Sequence, residues 1–481
     1  MIARRQKLSR LFTAAIPTLL LTACSMTPNY SRPDVAVPSA YRWQTGNGAN
    51  SIADQGWWTL YQDPALKSLI ETALAQNLDV RIAAARVEQA RASAGDAVIG
   101  ELPQLSVGAN AGRAEASSYS TLPGAARIGN SFGVTAKLSY ELDIWGRLHS
   151  ASNAARADLL ASQYAQQAVR IGLVSDVASN YFTLRSLDEQ LAITRNTVES
   201  RQQFLDLTQE QGKRGVVSGL DVSTADAQLA TAQANVPELQ RQIALTETRL
   251  SLLLGKNPGE ITRDAAQPLP TVIAPNVPAG LPSTLLERRP DLGQAEANLV
   301  AANARVGVAK AALFPSISLT GSFGALSPKL SDLFTGPAQL WSVGVGLLQP
   351  LIDADRNAYL VDLANAKKAE ALLQYQKAVQ TAFGEVADAL AGQQRYEEFR
   401  VLQQRQVDSL RNASRIALMR YKAGYSSYFD VINADRDLFN AELALANAKR
   451  NSLTSAVLLY RALGGGWQVE ETANAEASKQ P

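Results

Sequence analysis

Between residues 131 and 142 the chain alternates strictly, with Phe132, Val134, Ala136, Leu138, Tyr140 and Leu142 on one side and Ser, Gly, Thr, Lys and Glu on the other. That period of two predicts a strand with one apolar face. Leu105, Val107, Ala109 and Ala111 repeat it upstream, and Ile317, Leu319 and Phe323, then Trp341, Val343, Val345 and Leu347, repeat it later. Each segment is about ten residues, the length a tilted strand needs to cross a bilayer. A soluble sheet with one wet face fits any single strand equally well.

Elsewhere the period changes to that of helices. Val222, Ala225, Leu229, Ala232, Val236, Leu239, Ile243, Thr246, Leu250 and Leu253 alternate spacings of three and four, which reads as a coiled-coil seam. From Leu148 to Gln211 there is no proline, and Val177, Leu184, Leu191, Val198 and Leu205 recur every seven residues. At 1.5 Å per residue such a helix is on the order of 95 Å long. The return helix 220–254 and the helical stretch 283–313 together match this length. They are therefore expected to stack end to end beside it, with the proline-rich segment 256–282 bulging out between them.

The chain is written twice. Arg147, Gly215, Asp221 and Gly255 recur 209 residues later at Arg356, Gly424, Asp430 and Gly464, and Asp79 and Pro103 recur at an offset of 212 at Asp291 and Pro315. The first copy is read as 63–255, with hairpin 103–142, long helix 148–211, tip 212–219 and return helix 220–254. The second is read as 283–467, with hairpin 315–351, long helix 356–422, tip 423–429 and return helix 430–463. Adding 209 carries the seam to Val431, Ala434, Leu438, Ala441, Leu445, Ala448, Ser452, Ser455, Leu459 and Ala462. What length alone would divide into three domains becomes two copies of one unit, with an extension 24–62 before them and a tail 468–481 after them.

Composition changes the picture at the amino terminus. Arg4, Arg5, Lys7 and Arg10 precede the short apolar run 11–21, which reads as a secretory signal over 1–23. Leu21-Thr-Ala-Cys24 follows and looks like a bacterial lipobox, so Cys24, the chain's one cysteine, is read as the diacylated mature N-terminus. Ser25 in place of Asp points to the outer membrane. Removing the four basic residues turns the formal +2 of the whole chain into an excess of acid, 42 basic against 44 acidic. That leaves no footprint for nucleic acid. No stretch of 18 apolar residues exists for a membrane helix, so any crossing must be made by strands. With an outer-membrane address, four amphipathic strands cannot stand open-edged in lipid, and chains must pool them.

Taken together, the lipobox, Leu286-Glu-Arg-Arg-Pro-Asp-Leu292, Ala312-Leu-Phe-Pro-Ser-Ile-Ser-Leu319, Tyr140-Glu-Leu-Asp-Ile-Trp-Gly-Arg147 and Tyr460-Arg-Ala-Leu-Gly-Gly-Gly-Trp467 resemble the TolC/OprM-type outer membrane factors, in the lipoprotein branch labelled NodT. The resemblance implies an α+β membrane protein. In it a homotrimer gives four strands per chain to a 12-stranded β-barrel, continued by an α-helical coiled-coil tunnel in the periplasm. It also implies the exit duct of a tripartite efflux pump, with a periplasmic adaptor and an RND-type inner-membrane transporter as partners, outer membrane lipid around it, and no cofactor.

By the same resemblance the tips Gly215, Val216, Val217, Ser218 and Gly424, Tyr425, Ser426 meet the adaptor. Asp221, Tyr421, Asp430 and Asn433 take the positions of a periplasmic gate. Asn433 stands where a second aperture acid can occur and Ser426 where an arginine latch can. Asp221 and Asp430 also read as helix N-caps.

Two other readings stay open: a duct for type I protein secretion or metal-ion export in place of drug efflux, and a coiled-coil lipoprotein tether. The tether leaves the four strands without purpose. No Walker loop, nucleophile elbow or carboxylate-histidine cluster suggests an enzyme. His149, the lone histidine, reads as a surface residue without a role.

Overall fold

The computed structural model describes residues 26–43, 63–117, 119, 126–264, 269, 282–352 and 354–465. The signal sequence, Cys24, most of the proline-rich segment and the tail lie outside the described residues.

In chain order the elements are α1 (Pro64–Gln76), α2 (Leu78–Ile99), β1 (Gln104–Glu115), β2 (Ile128–Leu142), α3 (Arg147–Lys213), α4 (Gly219–Leu253), α5 (Pro282–Arg288), α6 (Pro290–Ala311), β3 (Ser316–Ser327), β4 (Gln339–Leu348), α7 (Ala354–Lys422) and α8 (Tyr428–Ala462). Two short 3-10 turns lie in the β3–β4 loop. No described helix is long and apolar enough to cross a membrane. Packing divides the chain into two compact units, Met1–Asp34, Arg86–Gln163 and Gln294–Gln376 in one, and Val35–Ala85, Tyr164–Gly293 and Lys377–Pro481 in the other.

The first unit carries the sheet. Its four strands are antiparallel in the order β1-β2-β3-β4. The register sets Leu105, Leu138, Gly321 and Val343 in one cross-strand row and Val107, Ala136, Phe323 and Trp341 in the next. The alternation read in each strand therefore merges into one apolar face. Ser106, Lys137, Ser322 and Ser342 form a row on the opposite face, where the Ser322 and Ser342 hydroxyls are 2.7 Å apart. The apolar face is open: Trp341 is 75% and Val343 80% exposed. A chain in water would bury such a face, whereas a lipid-facing barrel wall leaves it bare. Only its loop end is covered, by Leu333 and Ala338 packed near Ala325, Phe132 and Val134. At the other end the Trp145 indole stacks on Phe314 at 4.6 Å and donates Nε1–H to the Pro315 carbonyl at 2.8 Å, joining the foot of β2 to that of β3.

The second unit holds the helix tips and the return helices. Each of the ten seam positions on α4 and each of the ten on α8 is buried or half-buried. Polar seam residues are satisfied within the helix or across to the next one: Thr246 Oγ1 donates to the Gln242 carbonyl at 2.8 Å and Ser452 Oγ to Glu397 of α7 at 3.0 Å. α3 runs 67 residues and α7 69, each about 100 Å. α3 thus overruns the expected 148–211 at both ends.

Two sequence expectations change. The stretch 283–313 is not one helix, because it breaks at Arg289, before Pro290. Proline has no N–H to donate and restricts the residue before it. Pro237, inside α4, breaks nothing. Pro237 and Gln233, whose carbonyl it leaves without its helical donor, are both exposed, so water can serve that carbonyl.

The expected end-to-end partner of the return helix also differs. At the end of α4 the Leu253 carbonyl accepts from Asn77 Nδ2 at 2.9 Å, while Asn77 Oδ1 accepts from the Asp79 and Val80 amides at the start of α2. At the end of α8 the Ala462 carbonyl accepts from Arg289 Nη1 at 3.1 Å. Each return helix therefore ends on the helix junction of its own copy, with a side chain there satisfying its last carbonyls.

Candidate functional site at the helix tips

Both long helices end in the same way. Val216 N–H donates to the Gln211 carbonyl at 2.9 Å and Tyr425 N–H to the Arg420 carbonyl at 2.8 Å, while Gly215 and Gly424 take φ of +73° and +79°. This is the glycine-terminated helix end, whose left-handed residue turns the chain back on itself. Ser218 and Ser427 then cap α4 and α8. Asp221 Oδ2 accepts from Ser218 N at 3.0 Å and Oγ at 2.8 Å, and Asp430 Oδ2 accepts from Ser427 N at 3.1 Å and Oγ at 3.0 Å. α8 therefore starts at Tyr428, two residues before the expected 430, because Asp430 is the third residue of its first turn and not its cap. In both carboxylates Oδ1 makes no hydrogen bond to any described residue. One oxygen holds the turn and the other remains open.

Tyr421 is half-buried, and its hydroxyl donates to Gln211 Oε1 at 3.1 Å, tying the end of α7 to the end of α3. Burial, and next the Asp221 carboxylate, push the Tyr421 phenol above its ordinary value, so it stays a donor. Ser426 lies 3.5 Å from the Ala417 carbonyl and brings no charge. Asn433 is half-buried and makes no hydrogen bond to a described residue. Of the residues expected at a gate, both aspartates are bound to their own turns, and Tyr421 lies near Asp221.

Beneath the tips, side chains from α3, α4, α7 and α8 share one core around Leu205, Ala225, Leu229, Tyr428 and Val431. Tyr428 stacks on Phe204 at 4.7 Å with 5° between the rings, and Tyr421 tilts against both at 5.8 and 6.0 Å. Beside this stack Arg201, 6% exposed, donates Nε–H to Asp435 at 2.9 Å and Nη1–H to the Gln228 carbonyl at 2.8 Å. Its guanidinium also lies 5.2 Å from the Phe439 ring centre. A cavity of about 90 Å³ adjoins Arg201, Phe204, Tyr428 and Asp435.

Sequence reasoning missed Gln211, Arg201, Phe204, Tyr428 and Asp435. A signal existed in the repeat itself. At the offset of 209, Arg201 falls on Leu410, Phe204 on Ala413, Tyr421 on Gly212 and Tyr428 on Gly219. The copies part company where large side chains of one pack against those of the other.

The comparisons agree with this architecture. The family model described as "Outer membrane efflux protein" matches residues 69–256 and 281–465, one match for each copy. The chain is 35% identical over 480 residues to the probable efflux pump outer membrane protein TtgC of Pseudomonas putida, covering 97% of this chain and 98% of that protein. It is 35% identical over 453 residues to the cation efflux system protein CusC of Escherichia coli, covering 94% and 97%. The solved structure of the outer-membrane channel OprN superposes with a TM-score of 0.86 at 31% identity, covering 92% of this chain and all of that one. The fold is that of the trimeric outer membrane channels, with a four-stranded sheet per chain and a helical tunnel. The chain belongs to the outer membrane efflux protein family and is the outer membrane exit duct of an efflux pump.

Proposed function

We propose that the helix tips form the periplasmic aperture of this duct, closed by Tyr421 on Gln211 and made cation-attracting by Asp221 and Asp430. The observation that carries the reading is the divided use of each aspartate, one oxygen holding the first turn and the other unengaged. In a trimer each such position places three like charges near an axis, which favours cations. The duct needs no chemistry of its own, and we read no catalytic role or cofactor into it.

Around the gate residues, Val216, Leu220, Tyr425 and Phe429 are each at least 69% exposed. They offer an apolar surface at the tips for a periplasmic adaptor, which would link the duct to an inner-membrane transporter of the RND type. Cys24 is the lipid anchor in this reading, holding the N-terminus at the outer membrane while the tunnel extends into the periplasm.

Single-channel conductance in planar bilayers tests the gate. Tyr421→Phe is expected to raise the open fraction and Asp430→Asn to lower cation preference. Unchanged conductance and selectivity in both would overturn it. Val216→Cys and Tyr425→Cys, cross-linked in cells, test the adaptor contact.

A further inference from the structure

Beneath the sheet, within the first unit, the segment 26–30 lies as a strap over α3 and α6. Met26 N–H donates to the Trp145 carbonyl at 3.3 Å, the Thr27 and Ser150 hydroxyls are 2.6 Å apart, and Asn303 Nδ2 donates to the Pro28 carbonyl at 2.7 Å. Strap and helices enclose an open pocket of about 590 Å³ that nothing in the duct's function uses. Here the lone histidine acquires surroundings. His149, Asn153, Arg156 and Leu160 follow at spacings of four, three and four, so one face of α3 presents all four to the pocket.

Two features of the lining call for a ligand. Arg156 makes no ion pair or hydrogen bond with any described residue, so the pocket holds an uncommitted cation. Asn303 is 2% exposed, and because its Nδ2 is committed to Pro28, its Oδ1 is left buried without a donor. A buried acceptor without a partner is costly. A ligand complementary to both carries an anionic group and, close by, an N–H donor.

The pocket's height along the chain suggests where such a ligand comes from. Trp145 and Phe314 stack at the foot of the strands, and aromatic side chains of this kind sit at membrane interfaces. Arg156 lies nine residues into α3, about 14 Å along its axis, and its long side chain can reach back toward the headgroups. Cys24 precedes Met26 by two residues, so an acylated Cys24 would hold the start of the strap within about 7 Å of the bilayer.

We propose that this pocket binds the phosphoethanolamine headgroup of a phospholipid in the periplasmic leaflet, with the phosphate on Arg156, flanked by His149 and Asn153, and the ammonium donating to Asn303 Oδ1. The placement of the strap rests on the lipid-anchor reading above.

Native mass spectrometry of the full-length protein in mild detergent tests it, with dioleoyl phosphatidylethanolamine, dioleoyl phosphatidylglycerol or soluble phosphoethanolamine added after delipidation. The wild type should hold one phosphatidylethanolamine per chain, bind phosphatidylglycerol more weakly and ignore the soluble headgroup. Arg156→Gln should weaken lipid binding about tenfold, the loss expected for one charge-assisted contact, with Arg156→Lys between. Equal binding by Arg156→Gln overturns the site. So does a loss of trimer with lipid per chain unchanged, which would assign Arg156 to a neighbouring chain. Equal binding of phosphatidylglycerol overturns the Asn303 contact, and tight binding of soluble phosphoethanolamine overturns the lipid as source. Should Arg156→Gln fail to assemble, Asn153→Ala serves the same comparison.

Intact mass separates this from the anchor reading. An unacylated wild type that still binds phosphatidylethanolamine through Arg156 refutes the anchor and keeps the pocket. An acylated wild type beside an Arg156→Gln protein with undiminished lipid refutes the pocket and keeps the anchor.

Discussion

Arg201 and Asp435, 234 residues apart in the chain, meet at 2.9 Å beside the aromatic stack under the helix tips. The guanidinium is 7% exposed and the carboxylate 33%, so the pair sits at the edge of the core. Its desolvation cost is offset in part by a second hydrogen bond, to the Gln228 carbonyl, while Nη2 stays buried without a partner. Removing the arginine leaves the carboxylate without its partner and empties part of the packing against Phe439. Arg201→Ala is expected to cost about 2–3 kcal/mol, measured by denaturant unfolding in detergent. Asp435→Asn, which keeps an acceptor, should cost less.

The stack itself gives a second expectation. Phe204→Ala removes the ring on which Tyr428 lies at 4.7 Å and against which Tyr421 tilts. A loss of about 3 kcal/mol follows from the missing ring and the space it leaves. Because Tyr421 loses its support, the open fraction in bilayer recordings should rise as well. A stability loss with unaltered gating would show that the stack holds the core but not the latch.

Much of this architecture can be read from short-range pattern, and the site's core cannot, for a physical reason. Alternation in 131–142 or 341–347 reports which side of a strand is apolar, and spacings of three and four report the seam. Both depend only on neighbouring residues. The contacts Arg201–Asp435 and Phe204–Tyr428 join α3 to α8 across more than two hundred residues, and no local period encodes them. Proline shows the same limit. Pro237 and Pro290 look alike in sequence, yet one lies inside a continuous helix and the other at the break between two. Capping lies between these cases. Asp221 and Asp430 can be read as caps from their helix starts, but that Ser218 and Ser427 are the caps, with one oxygen of each aspartate closing the turn, is visible only in the structure.

The latch should respond to alkali. The folded-state value of the Tyr421 phenol is raised by burial and by the Asp221 carboxylate. A group raised above its unfolded value of about 10 contributes its full stability below that pH and loses it as pH climbs toward the folded value. Unfolding midpoints of wild type and Tyr421→Phe should therefore differ by a constant amount from pH 7 to about 10 and converge above it. Tyr428 is raised too, chiefly by burial, so only the difference between the two proteins isolates Tyr421. A constant difference up to pH 11 would remove the phenol from the latch.

The start of the proline-rich segment is held by a clasp that should fail in a diagnostic way. Arg263 grips Asp188 through Nε at 2.6 Å and Nη2 at 2.9 Å, and gives Nη1 to Glu247 at 2.6 Å. All three side chains are at most 16% exposed. Two carboxylates facing one guanidinium leave the site negative, so deleting the arginine leaves two buried anions that repel each other. Arg263→Met should cost about 3–5 kcal/mol near neutral pH. Asp188→Asn in the Arg263→Met background should restore part of that stability, because it removes one of the two charges that the first substitution leaves uncompensated. Limited proteolysis supplies the local readout: cleavage near 263 should accelerate in Arg263→Met and slow again in the double variant. If the double variant is no more stable than Arg263→Met, the clasp acts by packing and not by charge.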